Sequence, residues 1–165
     1  MSTRSGDLDP GLAWYLARSE NMSAERFHRM VNHESGLLGI SETSSDMRDL
    51  LAREAADVRA AEAVARSCYQ VTKSIGAFAA ALGGLDSLVF SGGIGENAPV
   101  IRQRICDRLG FLGVALDENS YTANEDVISA DAGAVTVRMI RTDEEAMIAR
   151  ATQRILLGPE SLLPY

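Results

Sequence analysis

Three closely spaced glycines form the first candidate for a ligand-binding segment. The stretch "LVFSGGIGENAP" runs from Leu88 to Pro99 and holds Gly92, Gly93 and Gly95 between an apolar run and a predicted helix. A glycine-rich turn at such a place brings backbone N–H groups close to an anionic or polar ligand. The stretch lacks the Gly-Lys-Ser/Thr ending of a P-loop, and its spacing differs from the GxGxxG dinucleotide pattern. A tight turn that binds nothing is an equally good interpretation of these glycines taken alone.

The second candidate is a carboxylate at the predicted start of the last helix. In "RTDEEAMIAR", Thr142 and Glu145 have the three-residue spacing of a capping box, in which each side chain bonds the other residue's amide. Glu144 then lies just after a strand, where the helix dipole alone favours a carboxylate by about 0.3–1 kcal/mol. The dipole is the more common explanation for an isolated glutamate. The alternative is an oxygen ligand for Mg²⁺, which takes one or two carboxylates together with substrate phosphates.

The third candidate is Arg4, in the opening stretch "MSTRSGDLDPGL". Its neighbours are small, polar or glycine, which is typical of a loop. An arginine in such a loop is usually a solvated surface charge. The fixed fork of its guanidinium group also fits the oxygens of a phosphoryl group.

The periodicity of the chain predicts the elements that must position these residues. Apolar residues that recur every three or four positions predict one long helix from Asp57 to about Leu82, ended by Gly83 and Gly84. A loop at 35–52 leads into a short helix. Further helices are predicted over 9–19, over 24–34 with Ser23 as N-cap, through 46–51 with Ser44 or Ser45 as N-cap, over about 98–109 with Asn97 as N-cap, and over 142–156. Strands are predicted at 85–90 and 134–140, with a third possible strand at 114–116, so the order is α/β.

Composition excludes several classes of protein. With 165 residues, one domain is expected, and a net charge of −7 argues against nucleic-acid binding because no basic stripe is present. No apolar run approaches the ~18 residues of a membrane span, and the N-terminus lacks the apolar segment of a signal peptide. The cysteines Cys68 and Cys106 form no CxxC pair, which favours reduced thiols. A cytoplasmic protein is therefore predicted.

Five segments taken together resemble one family, the acetate kinases, in the same order and at similar spacings. They are "TRSGDLDPGL" (3–12), "SGLLGISETSSDMRDL" (35–50), "LVFSGGIGENAPVIRQRIC" (88–106), "LGFLGVALD" (109–117) and "RTDEEAMIAR" (141–150). The resemblance spans essentially the whole chain. Five ordered blocks are far more specific than a single glycine motif.

The resemblance implies both a fold and a reaction. The fold is an α/β ribonuclease-H-like domain of the sugar kinase/Hsp70/actin superfamily, with a mixed sheet flanked by helices. Residues 1–165 would be the C-terminal nucleotide-binding domain of an acetate kinase. The family's N-terminal domain, which supplies further catalytic groups, is not represented. The family transfers a phosphoryl group in line and reversibly from ATP to acetate, giving ADP and acetyl phosphate.

The resemblance also implies roles for individual residues. Arg4 matches the arginine that stabilises the transferring phosphoryl group. Glu144 matches a ligand of the catalytic Mg²⁺ (or Mn²⁺), and Asp143 stands where relatives commonly have Asn. The positions that match nucleotide-contacting segments are Asp46, Met47, Arg48, Gly92, Gly93, Ile94, Gly95 and Glu96. His28 and His33 lie outside the matched segments and are interpreted as surface or packing residues.

Several functional alternatives stay open at this point. The expected partners are ATP/ADP and acetate/acetyl phosphate, with either a homodimer or pairing with an N-terminal half. Propionate and butyrate kinases are close relatives of the same family. The chain could instead be a non-catalytic adenine-nucleotide-binding or dimerisation module, or a remnant that binds nothing. The kinase interpretation requires that Gly92 and Glu144 follow neighbouring strands at the same edge of one sheet.

Overall fold

The computed structural model describes residues 2–157, which form two compact units. The first unit is the chain up to Leu85 together with Arg104–Phe111, and the second is Asp86–Gln103 together with the chain from Leu112 onward. The helices are α1 (Gly11–Ser19), α2 (Ala24–His33), α3 (Gly36–Ser41), α4 (Met47–Arg53), α5 (Val58–Leu82), α6 (Gly92–Asn97), α7 (Pro99–Cys106), α8 (Glu118–Ala123) and α9 (Glu144–Leu157). The strands are β1 (Ser87–Phe90) and β2 (Thr136–Met139).

The long helix α5 organises the first unit, and α3 and α4 pack against it. Its buried face is made mainly of small residues, among them Ala60, Ala63 and Val64, all of which are fully buried. Small side chains let the neighbouring helices approach closely. Leu50 of α4 is also fully buried, and removing such a leucine from water stabilises the fold by roughly 1.5–3 kcal/mol.

Local capping signals set the ends of α5, as the sequence predicts. The Asp57 carboxylate accepts hydrogen bonds from the backbone N–H of Arg59 at 3.0 Å and of Ala60 at 3.2 Å. Gly83 ends the helix with φ +80, a conformation that favours glycine. The Ser23 cap of α2 is likewise confirmed, because its side chain accepts the Arg26 N–H at 3.1 Å.

The segment before α4 differs from the prediction. Residues 36–41 form the unpredicted helix α3, and Asp46, rather than Ser44 or Ser45, caps α4. The reason is a tight turn built on Ser41, whose buried hydroxyl accepts the Ser44 N–H at 3.1 Å and donates to the Ser44 carbonyl at 2.8 Å. Because the turn engages the Ser44 backbone, α4 can begin only beyond it.

The second unit holds a small parallel sheet. β1 pairs with β2 in parallel, with Leu88 opposite Val137 and Phe90 opposite Met139. Val137, Met139 and Ile128 supply fully or almost fully buried side chains to its core. The possible third strand at 114–116 is reduced to an isolated antiparallel bridge between Leu116 and Ser129, and a second such bridge joins Val127 to β2.

No helix within residues 2–157 combines the length and apolarity that crossing a membrane requires.

Candidate functional site

The glycine segment and the turn that carries Glu144 lie at the same edge of the sheet of the second unit. Because β1 and β2 are parallel, their carboxyl ends meet at one edge. Gly92 follows β1 after one intervening residue, and the turn Thr142–Glu144 follows β2. The prediction that Gly92 and Glu144 follow neighbouring strands at one sheet edge is therefore confirmed.

The glycine segment is a short six-residue helix, α6, rather than an open turn. Gly92 has φ +71, which a residue with a side chain adopts only at a cost. A Cβ on Gly95 would lie 3.3 Å from the carbonyl carbon of Phe90, so this glycine lets α6 pack on the end of β1. A Cβ on Gly93 would meet no atom of the chain within 4 Å, and its φ is ordinary. The fold therefore needs Gly92 and Gly95 but not Gly93. The exposed face of Gly93 is available to a ligand.

The prediction that Asn97 caps the next helix is wrong. Asn97 is the last residue of α6, and its side-chain amide donates to the Gly93 carbonyl at 3.0 Å. The first turn of α7 instead uses the carbonyl of Ala98, which accepts the N–H of Ile101 at 3.0 Å. The cap shifts because residues 92–97 are already helical.

Glu96 joins the two loops. Its Oε1 accepts the Gly92 N–H, the Thr142 N–H and the Thr142 hydroxyl, each at 2.8 Å. Hydrogen bonds from Thr142, first from its N–H and then from its hydroxyl, hold the pKa of the Glu96 carboxyl below its usual range. The side chain is half-buried and accepts as a carboxylate.

A buried arginine, which sequence reasoning missed, supports the same segment from behind. Arg102 is fully buried, and its Nη1 donates to the carbonyls of Gly95 at 2.8 Å and Glu96 at 3.1 Å. Its Nη2 donates to the Tyr121 carbonyl at 3.0 Å and to Asn124 Oδ1. The charge is therefore spread over carbonyls at the ends of α6 and α8. The available signal was an arginine beside Ile101 on a short helix that follows a glycine segment.

The turn before α9 corrects the predicted capping box. The Thr142 side chain bonds Glu96 instead of the α9 backbone, and Asp143 Oδ1 accepts the Ala146 N–H at 2.8 Å. Asp143 is thus the residue that caps α9. The pairing of Thr142 with Glu145 fails because Thr142 is engaged across the sheet edge.

The donor set at α9 fits a hard cation such as Mg²⁺. Glu144 is exposed, and its carboxylate makes no hydrogen bond or ion pair with the residues described between 2 and 157. The same part of the chain holds no cluster of three or more His, Cys, Asp or Glu residues suited to a metal. A single free carboxylate suits Mg²⁺, which retains water and takes phosphate oxygens as ligands. Glu144 lines a surface depression of about 680 Å³ together with Asp143 and two arginines, Arg141 and Arg150.

In the first unit, backbone hydrogen bonds hold the segment that carries Arg4. The Ser5 N–H donates to the Val31 carbonyl, and the Ser35 N–H donates to the Thr3 carbonyl, both at 2.9 Å. These bonds fix the residues on either side of Arg4 against the C-terminal end of α2. The exposed guanidinium of Arg4 makes no ion pair with any residue among those described.

Arg4 lines a groove of about 870 Å³ within the first unit. Arg66 and Lys73 of α5 line the same groove, and Lys73 Nζ lies 3.6 Å from Asp7 Oδ2. The apolar side of the groove includes Phe78, which is 69% exposed. The groove therefore combines cationic groups with an apolar wall.

The predicted nucleotide-contacting segment at the start of α4 is organised around one carboxylate. Asp46 accepts the Arg48 N–H at 2.8 Å and pairs with the exposed Arg48 guanidinium at 2.5 Å. The guanidinium hydrogen bonds, together with the backbone N–H, lower the pKa of Asp46 to about 2. Met47 is only 4% exposed and anchors α4 in the core, so its side chain offers no surface to a ligand.

Replacing Arg48 with alanine is expected to raise the pKa of Asp46 from about 2 towards 3.8. The rise stops short of 3.8 because the backbone N–H of residue 48 still donates. Since folding depresses this pKa, the ionised carboxylate stabilises the fold above pH 3.8 and loses that effect as the pH falls through about 2. The carboxyl ¹³C shift of Asp46 measures the midpoint. The control is Arg53→Ala, at the other end of α4, which is expected to leave the Asp46 midpoint unchanged. An unchanged midpoint in Arg48→Ala would show that Arg48 does not lower the pKa of Asp46.

The structure therefore assembles the predicted residues in two groups. In the second unit it joins the segment Gly92–Glu96 to the turn that carries Glu144. In the first unit it fixes Arg4 and the Asp46–Arg48 pair on separate, well-anchored segments.

Comparison with known proteins agrees with the resemblance. The model of the acetokinase family matches residues 1–150. The acetate kinase of Symbiobacterium thermophilum is 46% identical over 159 residues, covering 94% of this chain and 40% of that protein. The propionate kinase of Citrobacter rodentium is 44% identical over 159 residues, covering 96% and 40%. The crystal structure of Porphyromonas gingivalis acetate kinase matches with a TM-score of 0.84 and 40% identity, covering 94% of this chain and 40% of that one.

Two conclusions follow from these matches. The predicted fold class, α/β of the sugar kinase/Hsp70/actin type, is confirmed. The chain spans about 40% of the length of the curated relatives that it matches.

Proposed function

The chain belongs to the acetokinase family, and we propose on that premise that it is the C-terminal, nucleotide-binding domain of an acetate kinase. The whole kinase transfers a phosphoryl group reversibly between ATP and acetate. The observation that carries the proposal is the Glu96 carboxylate, which ties the glycine segment to the turn before Glu144 at one sheet edge.

In this proposal, two segments of the chain contact the nucleotide through their exposed parts. They are Gly92–Glu96 and Asp46–Arg48. Gly93 and Ile94 lie against the nucleoside, because Gly93 has an open face without a side chain. Gly92, Gly95 and Glu96 complete this nucleotide-binding segment, with the Glu96 carboxylate turned to Thr142 and not to the nucleoside. The segment Asp46–Arg48 makes a second contact, to which Met47 contributes only its backbone since its side chain is buried.

Arg4 and Glu144 act on the phosphates. The planar fork of Arg4 donates to the phosphoryl oxygens, whose charge is spread in the transition state. Glu144 holds Mg²⁺ (or Mn²⁺), which when bound neutralises phosphate charge. The phosphoryl group passes directly between the nucleotide and the carboxylate of acetate, so no side chain of this chain forms a covalent intermediate.

Partners and location follow from the same proposal. The chain pairs with the remaining part of an acetate kinase or forms a homodimer, and it acts in the cytoplasm. Propionate is the second candidate substrate, because a propionate kinase is almost as similar to this chain as the acetate kinases are.

Complementation tests the proposed function. The chain is assayed alone, then with the N-terminal part of an acetate kinase supplied as a second polypeptide, with ATP and either acetate or propionate. We expect acyl phosphate formation only from the pair, with acetate as the better substrate. Turnover no higher than that of either part alone would overturn the proposal, and a preference for propionate would select the second candidate.

Replacing Gly93 with valine is expected to weaken ADP binding at least about tenfold, which is 1.4 kcal/mol. A Cβ at this position has open space around it, so the new side chain projects into the space assigned to the nucleotide. Calorimetric titration with ADP measures the affinity, and urea unfolding checks the fold. Gly76→Val is the matched control, because a Cβ there also meets nothing within 4 Å and the residue lies in α5. Equal affinity for ADP in both variants would remove the assignment of Gly93.

A further inference from the structure

The Glu96 side chain connects two segments that are far apart in sequence. Its Oε1 accepts one hydrogen bond from within the glycine segment, at Gly92, and two from Thr142, which is 46 residues away. All three bonds are 2.8 Å long. Because both the N–H and the hydroxyl of Thr142 donate to one carboxylate oxygen, Thr142 has little conformational freedom relative to Glu96.

The main chain of Glu96 is held as firmly as its side chain. Its carbonyl accepts from Arg102 Nη1 at 3.1 Å and from Asn124 Nδ2 at 3.0 Å. Arg102 is fully buried, so these contacts are shielded from water. The Glu96 carboxylate therefore links Thr142 to a backbone position that is itself held in place.

The path continues from Thr142 to the proposed metal ligand over two residues. Asp143 caps α9 through Ala146, and Glu144 is the first residue of that helix. The position of Glu144 thus depends on the cap formed by Asp143, and the residue before that cap, Thr142, is hydrogen-bonded to Glu96.

We propose that Glu96 is a positioning residue that couples the nucleotide-binding segment to the metal-ligand turn, so that a nucleotide seated on α6 orders Glu144 for its cation. The inference rests on the proposed function, and it adds that the carboxylate of Glu96 acts through Thr142 and not on the nucleotide. Reciprocally, a cation held by Glu144 favours the bound arrangement of α6.

Backbone amide shifts of the isolated chain test the coupling without any metal. ADP is added to the ¹⁵N-labelled 165-residue chain in the presence of a chelator. We expect shifts at Gly93 and Ile94, which contact the ligand, and also at Thr142 and Asp143. In Glu96→Ala the shifts at Gly93 and Ile94 remain, whereas those at Thr142 and Asp143 fall at least about fivefold, the lower end of ordinary coupling between sites.

Two further variants separate coupling from a general loss of structure. Glu96→Gln keeps an acceptor oxygen and is expected to retain the response at Thr142. Thr142→Val removes the hydroxyl donor but keeps the N–H, so an intermediate response is expected even if Glu96→Ala fails to fold. The matched control is Asp117→Ala, which removes a carboxylate that accepts the Ser120 N–H at 2.9 Å in the same unit but bonds neither loop. This control retains the full response.

The outcomes separate the two proposals. Binding of ADP at Gly93 with an undiminished response at Thr142 in both Glu96→Ala and Thr142→Val overturns the coupling and leaves the proposed function standing. An equal loss of response in Asp117→Ala also overturns it. If ADP shifts neither Gly93 nor Ile94 in the unmodified chain, the proposed function falls and the coupling falls with it.

Discussion

Replacing Arg4 with alanine is expected to lower the turnover of the complemented kinase by about 10³-fold or more, with ADP affinity nearly unchanged. An arginine that stabilises a transferring phosphoryl group acts on charge that develops in the transition state, so its loss reduces turnover more than binding. The backbone bonds at Ser5 and Thr3 hold this residue in place, and its guanidinium has no competing ion pair among the described residues. Steady-state kinetics of acyl phosphate formation measure the effect.

Two comparisons make the Arg4 result specific. Arg4→Lys keeps the charge but loses the planar fork, and we expect it to restore only a small part of the turnover. Arg66→Ala removes another arginine of the same groove, one that stacks at 5.5 Å on the Tyr69 ring, and should leave turnover close to normal. A turnover in Arg4→Ala within tenfold of the unmodified pair would contradict the assignment.

Replacing Arg102 with methionine is expected to destabilise the second unit by about 3 kcal/mol or more. Methionine fills much of the volume but leaves the part-buried carbonyls of Gly95, Glu96 and Tyr121 without this donor, although Asn124 still donates to Glu96. Each buried acceptor that loses its donor costs roughly 1–3 kcal/mol. A loss of this size is a large part of the ~5–15 kcal/mol that holds an ordinary domain together. Urea unfolding, followed by the amide signals of β1 and β2, measures the change.

The neighbouring arginine of α7 is the matched control for Arg102. Arg104 pairs with Glu54, with Nη2 and Oε1 2.7 Å apart, but its side chain is 37% exposed and water screens the pair. Arg104→Met is therefore expected to cost at most about 1 kcal/mol. If Arg102→Met and Arg104→Met lower the free energy of unfolding by similar amounts, burial of the Arg102 hydrogen bonds adds nothing to stability.

Where the sequence predicted an element well, the information was local. For the long helix α5, the apolar period, the Asp57 cap and the Gly83 stop all lie within residues 57–83. The N-cap of α2 is set in the same way, by Ser23 and an amide three positions along the chain. Helix formation depends on such near neighbours, so a single sequence is enough to find it.

The failed predictions were also local interpretations, of residues that another contact had already engaged: a tertiary contact for Thr142, and a different local contact for Ser44 and Asn97. Thr142 matches a capping box on spacing alone, yet its hydroxyl bonds Glu96. Ser44 has the composition of an N-cap, but the Ser41 turn uses its backbone. Asn97 is an amide before a proline, but it closes α6. In each case the residue had more than one possible hydrogen-bond partner, and spacing alone did not show which one prevails; only for Thr142 is that partner brought by the tertiary fold.

The sequence by itself determined the family, the α/β order and the identity of the residues that could serve a phosphate chemistry, because these depend on residue type and spacing along the chain. Only the tertiary structure decided which of those residues lie together. The parallel pairing of β1 with β2 brings Gly92 and Thr142 to one carboxylate oxygen of Glu96, and packing of α7 buries Arg102 behind it. The physical reason is that a hydrogen bond across 46 residues has no counterpart in local spacing and exists only once the sheet has formed.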